Sequence, residues 1–207
     1  MKSKRLVVAI MLAKMRLIST GEFVIRSVRI VSSASIFAFA SMVLCATAAE
    51  VGTEKRFPLA ARGYLQLTVP VGWGDKFEPS PPSISFSAGQ GEPFIVSVNP
   101  IVPPSTGSPA ITREALRQHV ERVLAGILPF AAEEKIDVVE IKDAPGRGFY
   151  FFATDRAPRP GEYQFMTQGA LQIGTLTLSF IILTNPGQEQ IVRDAMAMLT
   201  HATFVQQ

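Results

Sequence analysis

Two histidines, one cysteine, a short acidic strip and a few serines are the residues of this 207-residue chain best suited to chemistry. None of them is grouped as chemistry requires. His119 and His201 lack the H-x-x-x-H spacing that lets two imidazoles on one helix share a metal. His119 stands among Leu116, Val120 and Val123, the setting of a histidine at the edge of a buried helix face. His201 follows the closing helix, where a partly protonated imidazole favours the negative helix end. Glu133, Glu134, Asp137, Glu140 and Asp143 are strung along an extended segment. A hard cation needs several oxygens on one point, and Glu140 faces away from Val139 and Ile141, so a solvated edge is expected. The stretch SISFSAGQG puts serines on a strand before a turn, without the G-x-S-x-G elbow and following helix of a hydrolase. Its Gly89-Gln90-Gly91 lacks the lysine and helix of a phosphate loop. No catalytic set, metal site or cofactor is therefore expected.

Features suited to binding are easier to find. Arg147, Arg156 and Arg159 fall at strand ends and in the loop DRAPRPGEY, where prolines stiffen the backbone. Guanidinium groups presented in this way suit an anionic ligand or an acidic partner patch; the plainer reading is ordinary charged loop residues. Trp73, in VPVGWGDKF, is flanked by glycines just after a strand, as a lid over the sheet edge or as a partner contact. Trp73, Arg147, Arg156 and Arg159 are the expected partner-contact residues. The aromatic run Phe149 to Phe152 reads as core.

The N-terminal segment sets location. An uncharged run, Ile30 to Leu44, follows Arg26 and Arg29 and precedes Ala46-Thr47-Ala48. That order is a secretory signal peptide, with cleavage expected after Ala48 or Ala49. The run is short for a membrane span. Leu44 stands where a lipobox needs a small residue, so Cys45 is expected to leave with the leader. An earlier apolar patch, Leu6 to Leu12, makes the leader long, as a mis-assigned start codon would; an uncleaved anchor is the rival reading. Residues 1 to 49 hold 7 of the 20 basic side chains and 1 of the 17 acidic ones. The mature chain then carries 13 basic against 16 acidic groups, and the cationic surface that nucleic acid requires is gone. Residues 50 to 207 suffice for one domain with a proper core, held by packing without disulfides.

The order of elements follows from periodicity. GYLQLTVPVGW alternates as a half-buried strand until Pro70 and Gly72 stop it, and a loop follows. After proline-rich EPSPPS, the segments SISFS and PFIVSVNPIV read as strands, and PPSTGSP as a linker. A helix over Thr112 to Leu128 has Ile111, Leu116, Val120, Val123, Leu124 and Ile127 on one face, with Thr112 as cap, an Ile111–Leu116 staple and Pro129 as terminator. DVVEIKD, RGFYFFATD, EYQFMTQGALQI and TLTLSFIILT then form an antiparallel meander. GFYFFA is apolar on both faces, so a central strand covered on both sides is expected. Gln164, Met166, Gln168, Ala170 and Gln172 form the less apolar face of the next strand. The closing helix is expected to begin at Asn185-Pro186-Gly187-Gln188, with Asn185 as cap. One twisted antiparallel sheet with a helix on each face, an α+β fold of αβα sandwich type, satisfies each stripe.

A strand ending in VPVGW, two strands around a proline-rich loop, a long helix, a meander containing GRGFYFF and a helix after NPG together resemble the PsbP-like fold. That fold is shared by the photosystem subunit PsbP, a Ran nucleotide-release factor family and exported bacterial proteins around DcrB. The resemblance spans Arg62 to Phe204 and implies an αβα sandwich that acts by docking, with no shared catalytic residues. The expected function is a non-catalytic exported protein, periplasmic or secreted and monomeric, docking a protein or envelope component through one face. A carrier of a small apolar or anionic ligand between sheet and helix is the alternative. An enzyme ranks third.

Overall fold

The computed structural model describes residues 52–102, 110–141 and 148–206. The leader with Cys45, the PPSTGSP linker, Asp143, Arg147 and the Pro145-Gly146 turn lie outside the described residues. The strands are β1 (Thr53–Pro58), β2 (Gly63–Val69), β3 (Trp73–Pro79), β4 (Pro82–Ala88), β5 (Ile95–Ile101), β6 (Val139–Ile141), β7 (Gly148–Thr154), β8 (Phe165–Ile173), β9 (Leu176–Thr184) and β10 (Thr203–Gln206). The helices are α1 (Arg113–Ile127) and α2 (Glu189–Thr200). The fold is α+β and mainly antiparallel.

The single sheet expected from the sequence is two sheets. Seven strands run in the order β3-β4-β5-β9-β8-β7-β6, and three in the order β1-β2-β10. The segment expected as loop after Pro70 is the edge strand β3, paired from Trp73↔Ala88 to Pro79↔Pro82. Its alternation was hidden by charge: only Trp73 and Phe77 are apolar members of the inward row that also contains Asp75. Lys55 of β1 pairs with Asp75, joining the two sheets through side chains.

Cross-strand register divides the large sheet into two faces. On the first, Phe86 and Ile84 of β4, Val96 and Val98 of β5, Phe180 and Ile182 of β9 and Leu171 of β8 form one cluster. Phe57, Leu65, Leu67 and Val69 of the small sheet complete it, with Ala195, Met198 and Leu199 of α2. Phe57 meets Phe86 edge-on at 6.1 Å between centroids, a favoured aromatic geometry. On the opposite face Leu116, Val120 and Leu124 of α1 pack on Phe149, Phe151 and Ala153 of β7 and Ala170 of β8. The polar-looking row of β8 therefore lies beneath a helix: Gln168 and Gln172 are buried.

Both helix ends follow from local chemistry. Thr112 Oγ1 accepts from the Ala115 amide at 3.2 Å, as expected of an N-cap, and Ile111 packs against the cluster under α1. Leu128-Pro129-Phe130 tightens into a 3-10 turn, because proline cannot supply the next helical donor. The second helix starts later than expected, at Glu189 with Gln188 in the cap position. Asn185 instead uses its Oδ1 to accept from the Gln164 amide at 3.1 Å, while Gln188 reaches back to the Asn185 amide at 2.8 Å. The NPG segment is thus tied to the β7–β8 hairpin rather than wound into the helix.

Candidate functional site

The strand β7 carries the clearest departure from expectation. Phe149 and Phe151 are fully buried under α1, whereas Phe152 is 44% exposed and Tyr150 only half-buried. β7 lies next to the edge strand β6; the core under α2 and the small sheet takes in Ile141 of β6 and packs against Tyr150, while Phe152 and Val139 lie outside it. The reading of Phe149 to Phe152 as core therefore holds for one face of the strand and fails for Phe152. On this open face Val139 of β6, 44% exposed, pairs with Tyr150, and the Phe152 ring stacks on Phe165 of β8 at 5.6 Å between centroids. Val139, Tyr150, Phe152 and Phe165 make an apolar strip three strands wide. Exposed aromatic surface of this kind marks interaction sites more than scattered single residues do.

The hairpin loop between β7 and β8 rims the strip. Arg156 is exposed, but its Nε donates to the Ala131 carbonyl at 3.0 Å and its amide to the Phe130 carbonyl at 3.0 Å. It anchors the turn after α1. Phe130, held there, is 56% exposed. Arg159 is exposed, and its amide donates to the Glu162 carboxylate at 3.0 Å, which shapes the loop. Tyr163 is half-buried, and burial pushes its phenol upward. Of the residues expected as partner contacts, Arg156 and Arg159 thus share one loop beside the strip. Trp73 lies elsewhere, half-buried at the start of β3, with its ring 4.7 Å from Phe94 and 6.3 Å from Phe86. That is the position of a lid over the sheet edge.

Two members of the acidic strip, Glu133 and Glu140, have structural contacts, while Glu134 and Asp137 stay exposed as expected of a solvated edge. Both oxygens of Glu133 accept from the Thr154 amide at 3.1 and 3.2 Å. Partial burial opposes its charge, yet the hydrogen bonds from Thr154 prevail and hold its carboxyl below the usual value. Glu140 forms a two-pronged pair with Arg113 at the start of α1, with Nε to Oε1 at 3.0 Å. The hydrogen bond and charge of Glu140 raise the Arg113 pKa, and its guanidinium also lies 5.3 Å over the Phe149 ring. Glu140 is therefore a clamp between β6 and α1, a pairing across 27 positions that no local pattern announces. Among the described residues no three His, Cys, Asp or Glu side chains converge as a metal site. His201 caps α2, its Nδ1 donating to the Ala197 carbonyl at 2.8 Å.

A second feature lies under α1. A small cleft between α1 and the sheet is lined by His119, Val120, Val123, Phe151, Gln168, Gly169 and Ser179. Burial, aided by Arg122, lowers the His119 pKa. Gln168, 7% exposed, has a buried Oε1 without a hydrogen-bond partner, unique in this respect among the described residues. Neither the aromatic strip nor this amide was singled out from the sequence. Part of the signal for the strip was present: a strand apolar on both faces.

No family model matches this sequence, and no curated protein matches it. Solved structures do. One from Bacteroides thetaiotaomicron has a TM-score of 0.53 at 12% identity, covering 74% of this chain and 48% of its own, so this chain spans about half its length. LpqN of Mycobacterium tuberculosis, described as involved in cell envelope biogenesis, has a TM-score of 0.48 at 12% identity, over 74% of this chain and 91% of its own. The PsbP of the cyanobacterium Synechocystis has a TM-score of 0.43 at 10% identity, over 79% of this chain and 99% of its own. Among the described residues no helix is long and apolar enough to cross a membrane. At 12% identity the likeness to the Bacteroides structure is one of fold alone.

Proposed function

We propose that this chain is an exported, non-catalytic protein that docks a protein partner through one face of an αβα sandwich, the face carrying Val139, Tyr150, Phe152 and Phe165. One observation carries the reading: Phe152 is 44% exposed in the middle of an ordered strand, stacked on a second aromatic ring. Leaving a phenylalanine there costs solubility without adding to the core, whereas desolvation by a partner recovers about 25 cal/mol per Å² of apolar area. The partner surface that fits has an apolar centre for Phe152 and a carboxylate at its rim for Arg159. Arg156 contributes by holding the loop. The leader, residues 1–49, delivers residues 50–207 to the periplasm or the exterior as a single domain, after cleavage near Ala48 or Ala49.

The test compares capture by matched variants. Wild type, Phe152→Ser and Arg159→Ala are immobilised and exposed to the host's envelope proteins. A partner held by wild type should be lost with Phe152→Ser, by about 2 kcal/mol or more as for a central aromatic anchor. Arg159→Ala should weaken it less, and more so at low salt. Equal retention by wild type and Phe152→Ser, with both folded, removes this face as the contact.

A further inference from the structure

We infer that the outer edge of β10 is a pairing surface for a second copy of this chain, joining two three-stranded sheets into one of six strands. β10 belongs to the small sheet, apart from the docking face on the large one. The two sheets end in four edge strands, β3 and β6 in the large sheet, β1 and β10 in the small one. An unpaired edge invites strand addition, and folded proteins blunt it with charges and prolines. β3 carries Asp75, Lys76, Glu78 and Pro79, and β1 carries Glu54, Lys55, Arg56 and Pro58. β6 carries Glu140, clamped to Arg113. β10, Thr203-Phe204-Val205-Gln206, has neither charge nor proline, and among the described residues it is paired with β2 alone.

Register shows what this edge offers. Pro58 faces Tyr64 across β1 and β2 and has no N–H, and one residue on, the Leu59 amide donates to the Gly63 carbonyl at 2.8 Å. Gly63 therefore turns its main chain towards β1, and by alternation Tyr64 and Gln66 turn theirs towards β10, where they face Val205 and Thr203. The amides and carbonyls of Phe204 and Gln206 are left pointing out from the edge. The same register sets Pro58, Tyr64 and Val205 in one row on the outer face of the small sheet. Pro58 is exposed, Tyr64 is half-buried with the Arg56 guanidinium 5.1 Å over its ring, and Val205 is 39% exposed. The row runs to the open edge and stops there on a bare valine.

A two-fold axis at Val205 completes both features. In an antiparallel pair centred there, Phe204 stands opposite the partner subunit's Gln206, and Gln206 opposite the partner subunit's Phe204, each pair exchanging both main-chain hydrogen bonds. Val205 meets its own copy in the non-hydrogen-bonded position, where side chains approach most closely, and the apolar row continues across the axis. Like charges, the usual obstacle to an edge pairing with itself, are absent from β10. So short a strand buries well under the roughly 1,200 Å² of a stable complex, which makes the association weak, with a dissociation constant on the order of 0.1 mM.

The test follows the full chain by sedimentation and by amide NMR from about 10 μM to about 1 mM, a range that brackets that constant. Dimer should accumulate as concentration rises, with the Phe204 and Gln206 amides shifting and gaining protection from exchange. Gln206→Pro removes an outward amide that the fold does not use. Unfolding should be unchanged, while dimerisation weakens about five- to hundredfold for the two hydrogen bonds lost across the axis. Val205→Lys sets like charges face to face and should weaken it at least about tenfold, an effect that salt relieves. A chain that stays monomeric to about 1 mM overturns the inference, as does a dimer that both variants form as readily as wild type. A monomer whose Phe204 and Gln206 amides respond instead to an added peptide of alternating threonine and valine gives the edge to a foreign strand and overturns it equally.

Discussion

The two faces of β7 have nearly the same composition and opposite fates. Phe149 and Phe151 face α1 and are sealed; Tyr150 and Phe152 face the other way and remain partly open. Intrinsic hydrophobicity is the same on both sides, so the difference lies in what the rest of the chain brings to each. A 15-residue helix, positioned by the Thr112 cap and the Arg113–Glu140 clamp, covers the first. The second is covered only in part: the core under α2 and the three-stranded sheet takes in Leu171, Ile173 and Ile141 and reaches Tyr150, but Phe152 lies outside it. On the proposed reading, the end of this face left uncovered at Phe152 is where a second molecule docks.

The comparison breaks most readily in stability. Phe151→Ala should cost about 3–5 kcal/mol, because transfer and cavity terms add in a closed core. Phe152→Ala should lie within about 1 kcal/mol of wild type, as open positions do. Urea unfolding of both variants decides it, and comparable losses would show that the outer face is core after all. Gly169→Ala probes the plane between the faces: an added Cβ would stand 2.4 Å from the Phe149 carbonyl oxygen and 2.7 Å from Phe180 Cζ. A loss of about 1–3 kcal/mol is expected from overpacking, read from the same unfolding curves.

Smaller effects sharpen the account of the covered face. Thr112→Ala removes the hydrogen bond to the Ala115 amide and should cost about 1 kcal/mol, with amide exchange rising first in the opening turn of α1. The least effect concerns His119. Burial, then Arg122, depress its folded pKa below 6.5, so at pH just below 6.5 the unfolded chain binds more protons there than the folded one. Its contribution is therefore constant above that value and turns destabilising as pH falls through it. Thermal scans at pH 5 and pH 7.5 should show wild type losing slightly more than His119→Asn on acidification. An identical loss would place His119 in open solvent.

Much of the fold was legible because its elements are amphipathic on their own. The α1 stripe, its Thr112 cap and the four-strand meander needed only local periodicity. β3 was hidden because Asp75 stands in the row of Trp73 and Phe77, an exposed carboxylate that pairs with Lys55 on another strand. The later start of α2 was hidden because Asn185, a good cap in isolation, is claimed by Gln164 across a hairpin. At the candidate site the arginine loop was visible in DRAPRPGEY, while the strip beside it was taken for core. Sequence reports that Phe152 is apolar; only the reach of the covering layers reports that it is bare. Gln168 was seen as part of a less apolar row, and its missing partner is a fact of three dimensions.

The central claim is that the open face of β7 meets another protein, and site-specific photo-crosslinking tests it most directly. A benzophenone side chain is placed at position 152 and, in a second variant, at position 85, an exposed serine on the opposite face of the sheet. In the host, position 152 should yield one discrete protein adduct that position 85 does not. No adduct from 152, with a discrete one from 85, would contradict the account and move the docking surface to the other side of the molecule.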